Sequence, residues 1–362
     1  MKTTDVLIIG GSAAGMVAAL TGKSSWPKKS FILVKKQKEM MVPCGIPYIF
    51  GTLESSSQNI MPVDTSLEKA GIISLVDEVT IINKENKTVN LASGETIQYD
   101  KLVIATGSTP VKPKWLVGGE KENVFVIPKD KVYLDEMLLK LKTLKKVVVI
   151  GAGFIGVEFS DELIKHGHEV ILVEKQPAIL SLAFDIEISK KIGEILIQRG
   201  VRIITGNGIK EILGEKKVES VKLENGEVLE ADAVILTVGY KPNTELARKS
   251  EIYVDESGFI AVDEYMRTHV KDIFAVGDCA QKRDFVTRGR VATMLASTAC
   301  AEARIAGMNL FNLNVVKTFS GTIAIYATAI GNTGFGTAGV TEARAKEEGI
   351  DSITGTFEGM DR

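Results

Sequence analysis

Cysteine and histidine are scarce in this chain, which has three of each among 362 residues. Three cysteines cannot form a disulfide framework, and at least one thiol must stay unpaired, which favours a reducing, cytoplasmic setting. The sequence contains no cluster with metal-ligand spacing and no catalytic triad whose members can be placed together. We therefore predict no metal site.

An excess of one charge and long apolar runs are also lacking. Lys and Arg number 44 against 46 Asp and Glu, so no overall field favours nucleic acid or an anionic membrane. No uninterrupted apolar run reaches the ~18 residues of a membrane helix. The hydrophobic fraction of 45% and the charged fraction of 25% are those of a globular protein. We expect neither nucleic acid nor membrane as a partner, and about two domains with part of a third.

Two stretches of the chain repeat one pattern, in which a continuous apolar strand leads into a glycine-rich turn, a helix and a second apolar strand. In such a unit the glycines allow a tight turn, close approach of pyrophosphate and helix packing, and phosphate faces the helix N-terminus. The motif positions are Gly10, Ser12 and Gly15 in the first unit and Gly151, Gly153 and Gly156 in the second. The sequence therefore predicts two dinucleotide-binding units.

The two units differ at the end of their second strand. Glu174 ends that strand in the second unit, where a carboxylate accepts the ribose hydroxyls of NADH and repels a 2′-phosphate. Lys175 is adjacent and softens this preference, so we predict NADH with NADPH possible. The equivalent position of the first unit is Lys35, which cannot accept a ribose hydroxyl. Either Glu39 substitutes for it, or the adenosine is held differently, or Lys35 and Lys36 are a solvated strand end.

Two dinucleotide units in one chain suggest two cofactors, and flavin is the obvious acceptor for a hydride from nicotinamide. The order of motifs, with Ala105-Thr106-Gly107 and Ala275-Val276-Gly277-Asp278 between and after the units, resembles the pyridine nucleotide-disulfide oxidoreductases over nearly the whole chain. The resemblance implies that FAD contacts the first unit and Thr106, Gly107 and Asp278. It implies that NAD(P)H contacts the second unit, Glu158 and Gly239.

The resemblance also implies a fold class and a domain order. We expect an α/β protein with two Rossmann-like domains, the FAD domain at 1–112 and 246–316 and the NAD(P)H domain at 113–245. Residues 317–362 resemble the incomplete start of an α+β dimerisation domain. Family members form homodimers through that domain, so we expect weakened self-association and exposed apolar surface at 323–326 and 354–357.

Cys44 decides which branch of the family the chain resembles. It follows the strand at 31–34 by a short loop, and Pro47 suits the first turn of a helix whose dipole favours a thiolate. Dithiol members carry a second Cys five positions on, where this chain has Ile49. The run from Cys44 to Tyr48 is most similar to coenzyme A-disulfide reductases and NAD(P)H sulfur reductases.

We therefore predict an FAD-dependent enzyme that relays hydride from NAD(P)H through flavin to Cys44 and on to a disulfide, coenzyme A disulfide or polysulfide. An NADH oxidase that reduces oxygen at the flavin is the alternative enzyme. That branch usually carries a His in the first glycine turn, where this chain has Ser12-Ala13-Ala14. An NADH-responsive flavoprotein that binds or signals is the alternative of another class. The histidines are expected on solvated surface, which leaves the proton donor open.

Overall fold

The computed structural model describes residues 1–53, 55–357 and 359. The end of the expected C-terminal segment, at 358 and 360–362, lies outside the described residues. The α-helices are α1 (Ala13–Ser25), α2 (Val63–Lys69), α3 (Lys131–Leu141), α4 (Phe154–Lys165), α5 (Ile186–Gln198), α6 (Glu245–Lys249), α7 (Ala296–Met308) and α8 (Glu342–Glu347). Short 3-10 helices span Pro43–Gly45, Pro47–Phe50, Ser56–Asn59 and Gly277–Cys279.

The strands of the first half are β1 (Lys2–Ile9), β2 (Phe31–Lys35), β3 (Met40–Met41), β4 (Ile60–Met61), β5 (Ile73–Val76), β6 (Val79–Asn83), β7 (Thr88–Leu91), β8 (Thr96–Ile104), β9 (Ser108–Pro110), β10 (Val124–Val126), β11 (Lys146–Ile150) and β12 (Glu169–Val173). Those of the second half are β13 (Arg202–Ile204), β14 (Ile209–Leu213), β15 (Ser220–Leu223), β16 (Val228–Glu230), β17 (Ala233–Leu236), β18 (Tyr240–Pro242), β19 (Ile273–Ala275), β20 (Lys282–Arg283), β21 (Arg290–Val291), β22 (Tyr326–Ile330) and β23 (Thr333–Thr337).

The first large sheet has a parallel part in the order β5-β2-β1-β8-β19. β7 and β6 extend it as an antiparallel meander, because β7 pairs the beginning of β8 while β19 pairs its end. The five residues of β2 are all buried, as the continuous apolar run predicted. β19 lies about 170 positions after β8. The first large sheet is therefore completed only after the chain has formed the second large sheet and returned.

The second large sheet is parallel throughout, in the order β10-β17-β11-β12-β13. A separate antiparallel sheet of β14, β15 and β16 packs its apolar side chains beside β11 and β17. In both large sheets the first helix of the unit, α1 or α4, follows the central strand directly. The carboxyl ends of these central strands are where open α/β sheets bind ligands.

The C-terminal part forms a hairpin, β22 with β23, followed by α8. Ile330, at the end of β22, is fully buried in the same apolar core as α4 and the second large sheet. Side chains just before β22 are more open, with Ile323 41% and Ile325 53% exposed. The hairpin is thus part of the packed structure, although 323–325 expose apolar surface as predicted.

None of the helices within the described residues is long and apolar enough to cross a membrane.

Candidate active site

The two glycine turns have the same backbone geometry. Gly10 and Gly151, the first glycine of each turn, have φ of +115° and +101°, a region that side chains rarely adopt. A Cβ on Gly15 would lie 1.9 Å from the carbonyl oxygen of Gly10, and a Cβ on Gly156 would lie 1.9 Å from that of Gly151. Each helix is therefore pressed against its turn in a way that only glycine permits.

The middle position of each turn caps its helix with an extended residue. Ser12 has φ -80° and ψ -170°, and Gly153 has φ -73° and ψ -176°. No protein atom lies within 4 Å of the place where a Cβ on Gly153 would stand, so the space before α4 is open. The Ser12 side chain makes no capping hydrogen bond. Both helix N-termini thus lack a side-chain cap, and that of α4 faces open space, which fits the pyrophosphate of a dinucleotide.

Glu174 lies at the end of β12 and closes the second turn. Its Oε2 accepts a hydrogen bond from the Ala152 N–H at 2.6 Å, and its Oε1 accepts one from the Gln176 N–H at 2.8 Å. Lys175 points away, with its side chain 72% exposed and 3.1 Å from Glu224. The carboxylate is thus positioned beside the turn, where a ribose would meet it.

The strand end beside the first turn has no such carboxylate, and the alternative of a solvated strand end is wrong for Lys35. Its side chain is 1% exposed, and its Nζ donates to the Lys38 carbonyl and to Asp64 Oδ2, the latter at 3.0 Å. Lys36 is solvated as expected, at 71% exposure. Glu39, the alternative acid, is exposed.

Asp278 lies in the 3-10 turn Gly277–Cys279, which follows β19. Its Oδ2 accepts hydrogen bonds from Ser108 Oγ at 2.7 Å and from Lys129 Nζ at 2.9 Å. Burial acts to raise the pKa of the Asp278 carboxyl, but the Lys129 charge and these hydrogen bonds outweigh it and lower the pKa. Sequence reasoning missed Lys129, because it lies in the connector 149 positions earlier and carries no motif.

The two chain segments that connect the large sheets lie side by side. β9 pairs β18, and Val111 N–H donates to the Gly239 carbonyl at 2.9 Å. Thr106 Oγ1 donates to the Asn243 carbonyl at 2.6 Å, and the Asn243 N–H donates to the Gly107 carbonyl at 2.8 Å. The predicted residues Thr106, Gly107 and Gly239 therefore lie in one two-stranded crossing.

Cys44 is an exposed, unpaired thiol in the 3-10 turn Pro43–Gly45. Pro47 begins a helix, as predicted, but it is a single 3-10 turn, Pro47–Phe50. Its dipole is too short to act as the expected helix would. The exposure of this unpaired thiol, rather than a helix dipole, is what makes it a candidate.

The segment after Cys44 packs on α4, the helix of the second turn. The Phe50 and Phe159 rings lie 4.8 Å apart, and Thr52 donates its N–H to Glu162 Oε2 at 2.5 Å. Glu162 is 1% exposed, so the acceptor side of this contact is buried, whereas Thr52 is exposed. The helix that begins at the second glycine turn therefore carries the Cys44 segment on its side.

Tyr48 lies in the Cys44 segment and Glu158 lies on α4, and both have raised pKa values. Burial, together with the charges of Glu158, Glu162 and Cys44, raises the pKa of Tyr48 to about 12. Burial also raises the pKa of Glu158 to about 7, although Thr328 Oγ1 donates to its Oε1 at 2.8 Å. Sequence reasoning missed Tyr48 and Thr328, since the first was read only as part of a run and the second lies 170 positions from its partner.

The remaining cysteines and histidines differ in part from expectation. Cys279 is buried and Cys300 partly buried, which agrees with packing. His166 is exposed but does reach the Cys44 segment, with Nε2 3.3 Å from the Gly51 carbonyl. His168 is half-buried, 3.0 Å from the Leu144 carbonyl, and its pKa is lowered by burial. The prediction of a position on solvated surface is therefore wrong for His168.

Comparison with known proteins gives the class. The family model "Pyridine nucleotide-disulphide oxidoreductase" matches residues 4–303. The chain is 33% identical to the CoA-dependent NAD(P)H sulfur oxidoreductase of Pyrococcus abyssi, over 96% of this chain and 78% of that protein. The chain therefore belongs to the pyridine nucleotide-disulphide oxidoreductase family.

Two solved structures share its architecture. The NAD-dependent persulfide reductase from A. fulgidus superposes with a TM-score of 0.87 at 30% identity, over 96% of this chain and 66% of that one. The water-forming NADH oxidase from Lactobacillus brevis, bound to NADH, gives 0.87 at 26% identity, over 96% of this chain and 78% of that one. The predicted α/β fold with two Rossmann-like units is confirmed. This chain spans about two thirds of the length of the persulfide reductase.

Proposed function

We propose that this chain is an FAD-dependent oxidoreductase that carries reducing equivalents from NAD(P)H to Cys44 and on to a disulfide, coenzyme A disulfide or polysulfide. The observation that carries the proposal is the exposed Cys44 thiol in the 3-10 turn after β3, in a segment packed on the helix of the second glycine turn. One redox thiol thus lies between two units that both fit a dinucleotide.

The chain's own residues divide between the two cofactors. Gly10, Ser12, Gly15, Thr106, Gly107 and Asp278 would hold FAD, and Gly151, Gly153, Gly156, Glu158, Glu174 and Gly239 would hold NADH or, less well, NADPH. When bound, FAD supplies a two-electron acceptor for the nicotinamide hydride and a donor to sulfur. The uncapped N-termini of α1 and α4, with open space before α4, support this assignment.

Cys44 acts as the nucleophile of thiol–disulfide exchange. Its thiolate attacks one sulfur of the substrate, the substrate S–S bond breaks, and a Cys44 mixed disulfide forms while one thiol leaves. Two electrons and a proton then release the second thiol and restore the Cys44 thiolate. The sum is NAD(P)H, one proton and a disulfide giving NAD(P)⁺ and two thiols. Ile49 stands where a resolving Cys would be, so the mixed disulfide is formed with substrate.

Two groups with raised pKa values are related electrostatically to this thiol, because the charges of both Glu158 and Cys44 act on Tyr48. With a pKa raised to about 12, Tyr48 keeps its proton at neutral pH and is able to donate a hydrogen bond to a leaving thiolate. Glu158, with its pKa raised to about 7, is half protonated near neutrality, and its charge acts on Tyr48. We propose these two residues as the proton source that the sequence left open.

The test is Cys44→Ser in the FAD-loaded protein. The variant should still be reduced by NADH, while turnover of coenzyme A disulfide or polysulfide falls at least about a thousandfold. Cys300→Ser, which changes a partly buried thiol on α7, is the matched control and should keep turnover. Disulfide reduction by Cys44→Ser at the wild-type rate would show that the relay through Cys44 is wrong.

A second candidate function is NADH oxidation by oxygen, favoured by the superposition on the L. brevis oxidase. Anaerobic mixing with NADH, followed by oxygen or a sulfur compound as the oxidant, separates the two. The sulfur reductase should reoxidise faster with the sulfur compound, and faster reoxidation by oxygen in both Cys44→Ser and wild type would favour the oxidase.

We further propose the domain division given above, with 113–245 as the NAD(P)H domain, and a cytoplasmic location suited to a free thiol. Self-association is proposed to involve the C-terminal segment, where Ile353 and Phe357 are 101% and 92% exposed. Sedimentation of this chain beside a form extended at its C-terminus would measure how far it dimerises.

A further inference from the structure

The first glycine turn lacks the carboxylate that closes the second one, and the structure shows what stands in its place. β1 pairs β2 with Ile9 opposite Val34, and β11 pairs β12 with Ile150 opposite Val173. In both turns the first glycine N–H then donates to the strand-end carbonyl at 2.8 Å. Lys35 is therefore the structural counterpart of Glu174.

The Lys35 side chain lies against the first turn but does not face a ligand there. A Cβ on Gly11 would lie 2.8 Å from the Lys35 Cβ, so the base of the side chain packs on the turn. Its ammonium is directed to the Lys38 carbonyl and to Asp64. Two of its three N–H groups are thus occupied inside the protein, which leaves little capacity to bind a ribose phosphate.

Asp64 is the acid that Lys35 holds. Its Oδ2 is 3.0 Å from Lys35 Nζ, and its Oδ1 accepts a hydrogen bond from Ser74 Oγ at 2.7 Å. Burial acts to raise the pKa of the Asp64 carboxyl, but the bonds from Ser74 and Lys35 and the Lys35 charge lower it overall. The carboxylate is ionised and fixed in orientation.

The Asp64 carboxylate also keeps an open side. Its side chain is 57% exposed although Lys35, its partner, is only 1% exposed. A carboxylate has about four lone-pair sites, and the two contacts use two of them. Asp64 thus combines fixed orientation with free acceptor capacity, and it lies on α2 rather than on β2.

We propose that Asp64 accepts the ribose hydroxyls of the adenosine bound in the first unit, and that Lys35 positions it there. The inference rests on the proposed function, since it takes FAD to be the ligand of that unit. The acid proposed for the ribose thus lies on α2 instead of at the end of β2, and a buried lysine connects it to the end of that strand.

The test measures affinity of the cofactor-free protein by flavin fluorescence, for FAD and for its analogue with 2′-deoxyadenosine. Asp64→Asn should weaken FAD about tenfold and bring its affinity close to that of the analogue, because an amide loses the charge-assisted acceptor. The Asn carbonyl still accepts from Lys35, but the buried ammonium loses its counter-charge, so the variant should unfold at a somewhat lower temperature, and affinity is measured below that transition. Glu39→Gln, the other acid near the end of β2, is the control and should change neither affinity.

The outcomes are distinct. If Asp64→Asn left the preference for FAD over the analogue intact, or if Glu39→Gln removed it, the inference would be overturned. An equal loss for both compounds would also overturn it, because the ribose hydroxyl would then not be read by Asp64. If the wild-type protein bound no FAD at all, the proposed function would fail, and the assignment of the ligand with it.

Discussion

The two dinucleotide units of this chain share one turn geometry and differ in the charge at its edge. Gly10 and Gly151 have nearly the same φ. In both units, a Cβ on the third glycine would lie at the same distance from the carbonyl oxygen of the first glycine. At the strand end, however, the first unit has buried Lys35 and the second has Glu174. At the glycines, close backbone contact excludes a side chain. At the strand end, the two units accommodate residues of opposite charge, because each charged group is hydrogen-bonded within the protein.

The largest expected effect is loss of the shared geometry. Gly15→Ala or Gly156→Ala places a Cβ 1.9 Å from a backbone oxygen, and the helix must shift. Each variant should lose about 3 kcal/mol in the free energy of unfolding, because backbone cannot yield as a side chain can. Chemical denaturation would measure this loss. In addition, Gly15→Ala should impair FAD binding and Gly156→Ala NADH binding.

A small and equal effect of the two substitutions on stability would mean that the turns are more pliable than the structure indicates. A large effect at only one of them would break the comparison between the units.

This symmetry is also what the sequence could predict. Glycine spacing and continuous apolar runs depend on neighbouring residues, so the strands β1, β2, β11 and β12 and the helices after them were predicted within a few residues. The partners of Lys35, Asp278 and Glu158 were not, because Asp64, Lys129 and Thr328 lie 29, 149 and 170 positions away. Such contacts arise only when separate elements pack together.

A second difference between the units lies two residues after the third glycine, at Val17 in α1 and Glu158 in α4. The pKa of Glu158 is raised to about 7 in the folded protein, so between the usual carboxyl value and pH 7 the folded state binds more protons than the unfolded one. Stability should therefore fall as pH rises through that window, by about 2 kcal/mol for this partly exposed group.

Glu158→Gln should remove this part of the pH dependence. The measurement is the free energy of unfolding between roughly pH 5 and pH 8, the range over which titration of this group changes stability. Glu302, buried beside Gly277 with its pKa raised to about 7, contributes with the same sign and should remain in the variant. An unchanged slope in Glu158→Gln would show that Glu158 titrates normally in the folded protein.

A smaller effect is expected at the edge of the second unit. Glu174→Gln keeps one oxygen for the Ala152 N–H but loses the charge, so NADH should weaken by about 1–2 kcal/mol while NADPH is unchanged or tighter. Glu174→Ala should weaken NADH by about 1–3 kcal/mol and NADPH less, with some loss for both because it also frees the N–H groups of Ala152 and Gln176. Dissociation constants for both cofactors decide this. Equal losses in Glu174→Gln would mean that the carboxylate does not read the 2′ position.

The smallest effect concerns the middle of each turn, where Ser12 and Gly153 have almost the same backbone angles. Because Gly153 has open space at its Cβ position, Gly153→Ser should be accommodated and should stabilise the fold by about 0.5 kcal/mol through the unfolded state. Ser12→Gly should do the reverse and also weaken FAD by about 1 kcal/mol, since the free hydroxyl is a donor to phosphate.

Thermal unfolding and cofactor titration of these two variants test whether the turns are interchangeable at this position. Gly153→Ser also adds a hydroxyl beside the pyrophosphate of NADH, so its affinity should rise or stay constant if the second turn is built like the first. A marked loss of NADH would show that the space before α4 is filled by the cofactor itself, with no room for a side chain. Ser12 would then mark a real difference in how closely the two units hold their phosphates.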